Sequence, residues 1–320
     1  MVKHEDHRNH IVTECQFDMI RRTVGVDSTD RLKLRNQYDD KNRVAAVTQK
    51  LEDSLVKTEY IYGEAEKQQK PGLMYGLKVD GTERAVYTYD LLARQTQKSV
   101  KAFGATYNTY YEFLAGPVTG TTTTLLSSIK NGSKTLSYTY DVLGNIQTIS
   151  EDDVLKCTYH YDELNRLVRE DNVWENKTIC YTYDLGGNMT SWKEYAYTTE
   201  ESLTGKTVNK ENSYAYGNSV WKDQLTSYNG QAITYDVLGN PLSYRGMTMS
   251  WEKGRELKQI VKDGSTIAFA YDTAGCRIGK TAAGVETKYY WSGDKIIGMK
   301  KDGDLIHFLY DKKGNLFALQ

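Results

Sequence analysis

The dipeptide Tyr-Asp occurs eight times in this chain of 320 residues. Its 26 Tyr and 23 Asp residues would meet by chance only about twice. Tyr140-Asp141-Val142-Leu143-Gly144-Asn145 and Tyr235-Asp236-Val237-Leu238-Gly239-Asn240 are identical hexapeptides. Tyr183-Asp184 leads to Gly187-Asn188, Tyr310-Asp311 to Gly314-Asn315, and Tyr271-Asp272 to Gly275-Cys276. Tyr38-Asp39, Tyr161-Asp162 and Tyr89-Asp90 lead to Asn42-Arg43, Asn165-Arg166 and Ala93-Arg94. A sequence that rewrites one motif must fold into one repeated unit, so repetition overrides the length prior of about two domains. The expected organisation is an irregular N-terminal segment, 1–33, followed by one continuous array, 34–320.

Residues ahead of each Tyr-Asp alternate with period two. Leu136, Tyr138 and Tyr140 share one face, as do Leu155, Cys157, Tyr159 and Tyr161, and Ile179, Tyr181 and Tyr183. The other face carries Thr139, His160 and Thr182. That pattern is a β-strand with one aromatic and one small or polar side. After the strand, the Asp carboxylate is placed to accept backbone N–H groups one or two residues on, as an Asx-turn. The residue four after Tyr is Gly144, Gly187, Gly239, Gly275, Gly314, Asn42 or Asn165, the two types that best tolerate positive φ in a bulged hairpin loop. Ala93 alone departs, and its turn is expected to be strained or rebuilt.

A second turn class alternates with the first. Asp80-Gly81, Asn131-Gly132, Asn229-Gly230, Asp263-Gly264 and Asp302-Gly303 are two-residue hairpin signals. The unit is therefore strand, tight turn, strand, Tyr-Asp turn. Degenerate units at Tyr60-Ile61-Tyr62-Gly63, Tyr110-Tyr111, Tyr214-Ala215-Tyr216-Gly217, Trp251 and Tyr289-Tyr290-Trp291 fill the gaps, with Trp291 standing in register for tyrosine. The fold class is all-β: a repetitive hairpin meander long enough to curl into a spiral or shell.

Composition agrees. Tyrosine (26) far exceeds phenylalanine (6), and mean hydropathy is −0.63. Phenol rings with polar tips suit half-wet sheets. A formal net charge of −1 provides no footprint for nucleic acid, and no apolar run long enough to span a membrane occurs. The charged start, Met1-Val2-Lys3-His4-Glu5-Asp6-His7, does not have the form of a signal peptide. Cys15, Cys157, Cys180 and Cys276 lack metal or redox spacing and read as small hydrophobes.

No catalytic, cofactor-binding or metal site is expected. His4, His7 and His10 read as a polar terminus, and His160 and His307 as strand residues. Asp152-Asp153 reads as a solvated turn, and the repeated aspartates as backbone caps rather than calcium ligands. The Tyr and Trp rows admit glycan stacking as an alternative to cross-strand packing.

The motif Tyr-Asp-x-x-Gly-Asn/Arg, from Tyr38 to the end, resembles the RHS (rearrangement hot spot) or YD-repeat family. Trp221-Lys222-Asp223-Gln224 through Tyr244, followed by Trp251-Glu252-Lys253-Gly254-Arg255, is similar to its Gram-positive, Clostridia-like branch. The resemblance implies the wall of a hollow β-shell in a secreted or cell-surface polymorphic toxin, with an effector domain or further shell segments as partners. It implies a non-enzymatic role, with a surface adhesin or carbohydrate-binding module as the alternative and cell-surface glycans as its ligands. The family's Asp-Pro core is absent, since Pro71, Pro117 and Pro241 follow Lys70, Gly116 and Asn240. The chain is thus expected to be shell wall without protease, effector, cofactor, nucleic-acid partner or membrane insertion.

Overall fold

The computed structural model describes residues 1–320 as 29 β-strands and one short 3-10 turn, Ala65–Lys67, with no α-helix. Each strand pairs antiparallel with its sequence neighbour. Lys134–Tyr140, Ile146–Glu151, Val154–Tyr161, Leu167–Asn172, Lys177–Tyr183 and Met189–Ala196 show the plan. Tyr138 lies opposite Ile149, Tyr159 opposite Glu170, and Tyr181 opposite Trp192. A register shift falls at the motif tyrosine itself, between Thr139 and Tyr140, His160 and Tyr161, and Thr182 and Tyr183. This is the bulge that a positive-φ loop residue imposes on a hairpin.

The tight turns follow their residues. Asp80-Gly81, Asn229-Gly230, Asp263-Gly264 and Asp302-Gly303 have positive φ at both centres, as the type I′ turn requires. Asn131-Gly132 does not: Asn131 ends its strand opposite Lys134, and the turn is Gly132-Ser133 with positive φ at the glycine alone. Phe103-Gly104, Arg245-Gly246 and Ala283-Gly284 repeat the I′ pattern without Asn or Asp.

Two compact units result, where the sequence suggested one array: 1–106 together with 247–320, and 107–246. In the first, strands from both ends of the chain pack face to face. Leu32, Leu34 and Leu51 meet Tyr290 and Ile297 in one buried cluster. Val56, Met74, Leu77, Val79, Ala85 and Tyr87 meet Leu309 in another, with Phe317 against it. Gly298 is required there, because a Cβ at that position would lie 2.2 Å from Leu51 Cδ1. Both buried clusters belong to this unit. The second unit is a single layer from Ala105–Ala115 through Val208–Ala215, closed by the short pairs Ser227–Tyr228 and Gln231–Ala232.

The segment 1–33, expected to be irregular, contains strands Val2–Asp6, Ile11–Phe17 and Thr23–Ser28. Its turns carry unfamiliar residues. Asp6 caps the first by accepting from the backbone of Arg8 and Asn9, so the polar run that reads as a loose terminus is a closed hairpin end.

Candidate functional site

The repeated motif is the one constellation that recurs throughout the structure, and its parts can be built up at Tyr140–Asn145. Asp141 N–H donates to Asn145 O at 2.9 Å, and Gly144 N–H returns to Asp141 O at 3.1 Å. Asp141 Oδ1 accepts from the backbone N–H of Leu143 and Asn145, both at 2.9 Å. Oδ2 accepts from Asn145 Nδ2 at 2.8 Å. Capping thus reaches two and four residues on, rather than one or two. Both carboxylate oxygens are engaged. The side-chain hydrogen bond from the closing residue, followed by the backbone donors, holds Asp141, Asp162, Asp184 and Asp236 below the ordinary aspartate range.

The closing residue is the part the sequence reading left without a role. Arg43, Arg94 and Arg166 donate through Nε to Asp39, Asp90 and Asp162 at 2.6–2.7 Å. Asn188, Asn240 and Asn315 donate through Nδ2 to Asp184, Asp236 and Asp311. Only the Asp272 turn, ending in Cys276, lacks a side-chain donor and rests on the N–H groups of Ala274 and Cys276. The signal was the sixth motif position, Asn or Arg in every other copy.

Backbone conformation follows the same logic. Gly144, Gly187, Gly239, Gly275 and Gly314 have φ of 81–88°, and Asn42 and Asn165 have φ of 61 and 65°. Ala93 adopts φ 66° within the same hydrogen-bond pattern, so its turn is strained rather than rebuilt. A ninth copy was missed: Phe17-Asp18, where Arg21 has φ 65° and Arg22 Nε donates to Asp18 Oδ2 at 2.6 Å.

The tyrosines do more than pack. Where one motif turn directly follows another, the phenol donates to the backbone carbonyl immediately after the closing residue of the preceding turn. Tyr38 reaches Thr23 O after Arg22, Tyr62 reaches Val44 O after Arg43, and Tyr161 reaches Ile146 O after Asn145. Tyr183 reaches Leu167 O after Arg166, and Tyr216 reaches Met189 O after Asn188. Trp291 does the same through Nε1, at 2.8 Å from Arg277 O, so the substitution in register keeps the donor. Where the closing residue is Arg22, Arg43 or Arg166, its guanidinium lies 4.0–4.7 Å from the next ring centroid. Tyr271 departs: its hydroxyl accepts from Arg277 Nη2 at 3.3 Å.

Turns also touch turns. Arg22 Nη1 donates to Asn42 Oδ1 at 2.7 Å. In the 107–246 unit Asn145 Nδ2 donates to Asn165 Oδ1, Arg166 Nη1 to Asp184 O, and Asn188 Nδ2 to Asp223 Oδ1. Trp221 completes the row, since a Cβ on Gly239 would lie 2.6 Å from its ring.

The remaining candidate side chains are apart from one another. Cys157 is buried and free, and His160 faces Asp171 at 3.6 Å. His4 lies in a strand, while His7 and His10 lie in the turn that follows. His307 is buried between the two layers of its unit. Gln49 Nε2 donates to Ile297 O at 3.2 Å and faces His307 Nδ1 at 3.1 Å, so Nδ1 accepts. Nε2 is left to donate to Ser54 Oγ at 2.9 Å. Burial lowers the His307 pKa, which favours the neutral ring.

Comparison with known proteins bears on this arrangement. The chain is 34% identical over 102 residues to the tRNA nuclease WapA of Bacillus subtilis strain 168, covering 31% of this chain and 4% of that protein. It is 38% identical over 77 residues to the tRNA(Glu)-specific nuclease WapA of Bacillus subtilis subsp. natto, covering 23% of this chain and 3% of that one. Among solved structures, TcdB2-TccC3-Cdc42 matches with a TM-score of 0.66 at 16% identity, over 93% of this chain and 17% of that one. TcdB2-TccC3-TEV matches with a TM-score of 0.65 at 15% identity, over 95% and 20%. No family model matches. The chain spans about 4% of the length of the curated relatives it matches. Its fold is the all-β array of the TcdB2-TccC3 structures.

Proposed function

We propose that this chain is a wall segment of an RHS/YD-repeat polymorphic toxin, a non-enzymatic structural element that encloses or displays an effector. The observation that carries this reading is the use of the motif's own chemistry. Asp141 and its counterparts other than Asp272 spend both oxygens closing a turn, and the phenols that follow, Tyr271 apart, spend their protons on the preceding unit. Side chains committed in this way join units together. The fold shared with TcdB2-TccC3 over most of the chain supports the reading, as does the partial match to the WapA nucleases. The partners are an effector domain or further shell segments, and the setting is secreted or cell-surface. The Clostridia-like branch suggested by the Trp221–Tyr244 segment belongs to the same proposal.

The adhesin alternative draws on the same aromatics. It is disfavoured by the hydroxyls of Tyr38, Tyr161 and Tyr183, which turn inward to backbone carbonyls rather than outward to a sugar. In this proposal the tRNA cleavage named for the WapA proteins resides outside the matched portion. The test is incubation of the purified chain with total tRNA. Intact tRNA at stoichiometric protein is the expected result. Cleavage that tracks the chain through independent purifications, and is lost on substitution of one of its residues, overturns the non-enzymatic reading.

A further inference from the structure

Asn131-Gly132 and Asn229-Gly230 are the two Asn-Gly pairs of the chain, and the fold treats them differently. Both stand exposed at hairpin ends of the unit 107–246. Asn229 and Gly230 are the two centres of their turn, with φ of 49 and 75°. Asn131 instead ends the strand Thr122–Asn131 opposite Lys134, and Gly132, with φ 58°, opens the turn.

The two side chains are also held unequally. Asn229 Oδ1 accepts from the Ser213 N–H at 2.7 Å, and Nδ2 donates to Asn212 Oδ1 at 3.1 Å. The Asn229 N–H donates to Ser213 O at 2.9 Å, so backbone and side chain are tied to the same strand. At Asn131 a single side-chain bond is made, from Thr109 Oγ1 to Oδ1 at 2.7 Å, and Nδ2 donates to nothing in the chain. The Gly132 N–H makes a long bond of 3.3 Å to Asn108 O. A Cβ on Gly132 would meet nothing within 4 Å, so the peptide group has room to turn.

We infer that Asn131 is a site of spontaneous deamidation in the folded chain and that Asn229 is protected. The Gly132 nitrogen attacks Asn131 Cγ, its proton passes to the departing amide nitrogen, and ammonia leaves. Water then opens the resulting succinimide at either carbonyl, to aspartate or to isoaspartate. Closing that ring rotates the peptide about the Cα–C bond until its nitrogen lies beside Cγ. From an extended strand this passes through open backbone conformations, whereas Asn229 starts in the left-handed region and must leave its turn. Rotation at Asn131 gives up the last ladder bond to Lys134. At Asn229 it gives up the turn and both side-chain bonds. Glycine next in sequence presents no Cβ to the approach in either pair. Isoaspartate adds a methylene to the backbone at the Asn131–Lys134 pair, so the product loosens the hairpin between Thr122–Asn131 and Lys134–Tyr140.

Peptide mapping by mass spectrometry after incubation in mildly alkaline buffer tests this inference, with isoaspartyl methyltransferase labelling to mark the rearranged product. The urea-unfolded chain is the reference, and there the two Asn-Gly pairs are expected to react at similar rates. In the folded chain Asn131 is expected to convert at least about 5-fold faster than Asn229, the difference one retained hydrogen bond makes to a rate. Equal rates at the two sites in folded protein, or faster conversion at Asn229, overturn the inference. So does an Asn131 that stays intact in the folded chain over a period that converts both pairs in the unfolded one.

Discussion

The phenol of Tyr183 donates to Leu167 O at 2.8 Å, and the guanidinium of Arg166, the residue just before, lies 4.7 Å from the Tyr183 ring centroid. One residue pair therefore carries three linkages: Arg166 closes its own turn on Asp162, stacks on the next ring, and precedes the carbonyl that ring anchors. Tyrosine is used in preference to phenylalanine because the linkage needs a donor at the end of an apolar ring.

Tyr183→Phe removes that donor and leaves Leu167 O with one partner fewer. A loss of about 1 kcal/mol is expected in urea unfolding. Combined with Arg166→Asn, which keeps the turn donor but removes the stacked cation, a double-mutant cycle should return a coupling of about 0.5 kcal/mol. Additive effects would show that ring and guanidinium do not act together.

Ala93 holds φ 66° in a turn whose other copies use Gly or Asn. Ala93→Gly relieves the clash of Cβ with the backbone and should stabilise the protein by about 1 kcal/mol, against a smaller entropic loss. Gly144→Ala should destabilise in the opposite sense. Equilibrium unfolding of the two variants checks the pair, and stabilisation by both would contradict the shared turn geometry.

Tyr60 and Tyr89 are pushed up to about 12, chiefly by burial and then by neighbouring Tyr62 or Tyr75 and Asp311. Their folded pKa lies above the ordinary value of 10.0, so their contribution is complete below pH 10 and is lost as pH rises toward 12. Phenolate absorbance should show a late-titrating class of tyrosines that ionises together with unfolding in that window. Titration of every tyrosine near pH 10 in folded protein would contradict it.

His307 works in the other direction. Burial depresses its pKa below the ordinary 6.5, so its contribution is present above pH 6.5 and is lost as pH falls toward the folded value. Protonation would turn Nδ1 from an acceptor into a donor facing the Gln49 amide. Stability of the wild type should therefore fall between pH 7 and 5 relative to His307→Gln. Parallel pH profiles for the two proteins would remove the role.

The repeat, the turn classes and the all-β fold were legible because each rests on local chemistry: alternation, an Asx cap, a positive-φ residue. What was not legible needed partners far along the chain. Phe17-Asp18 escaped notice because the ring changed while the cap and closing Arg22 did not. The carbonyl that each tyrosine reaches lies one unit back, which spacing alone does not mark. The packing of Leu309 on Leu77, and of Leu51 against Gly298, depends on the C-terminal strands returning to the N-terminal sheet. No periodicity in a repeated sequence specifies that return.

The central claim is that this chain builds a wall, and electron cryomicroscopy of the complete natural gene product tests it most directly. The account predicts a hollow particle whose β-wall contains residues 1–320, with density for a separate domain enclosed or displayed. A solid particle in which these strands surround no cavity, and to which no further domain is attached, would contradict it.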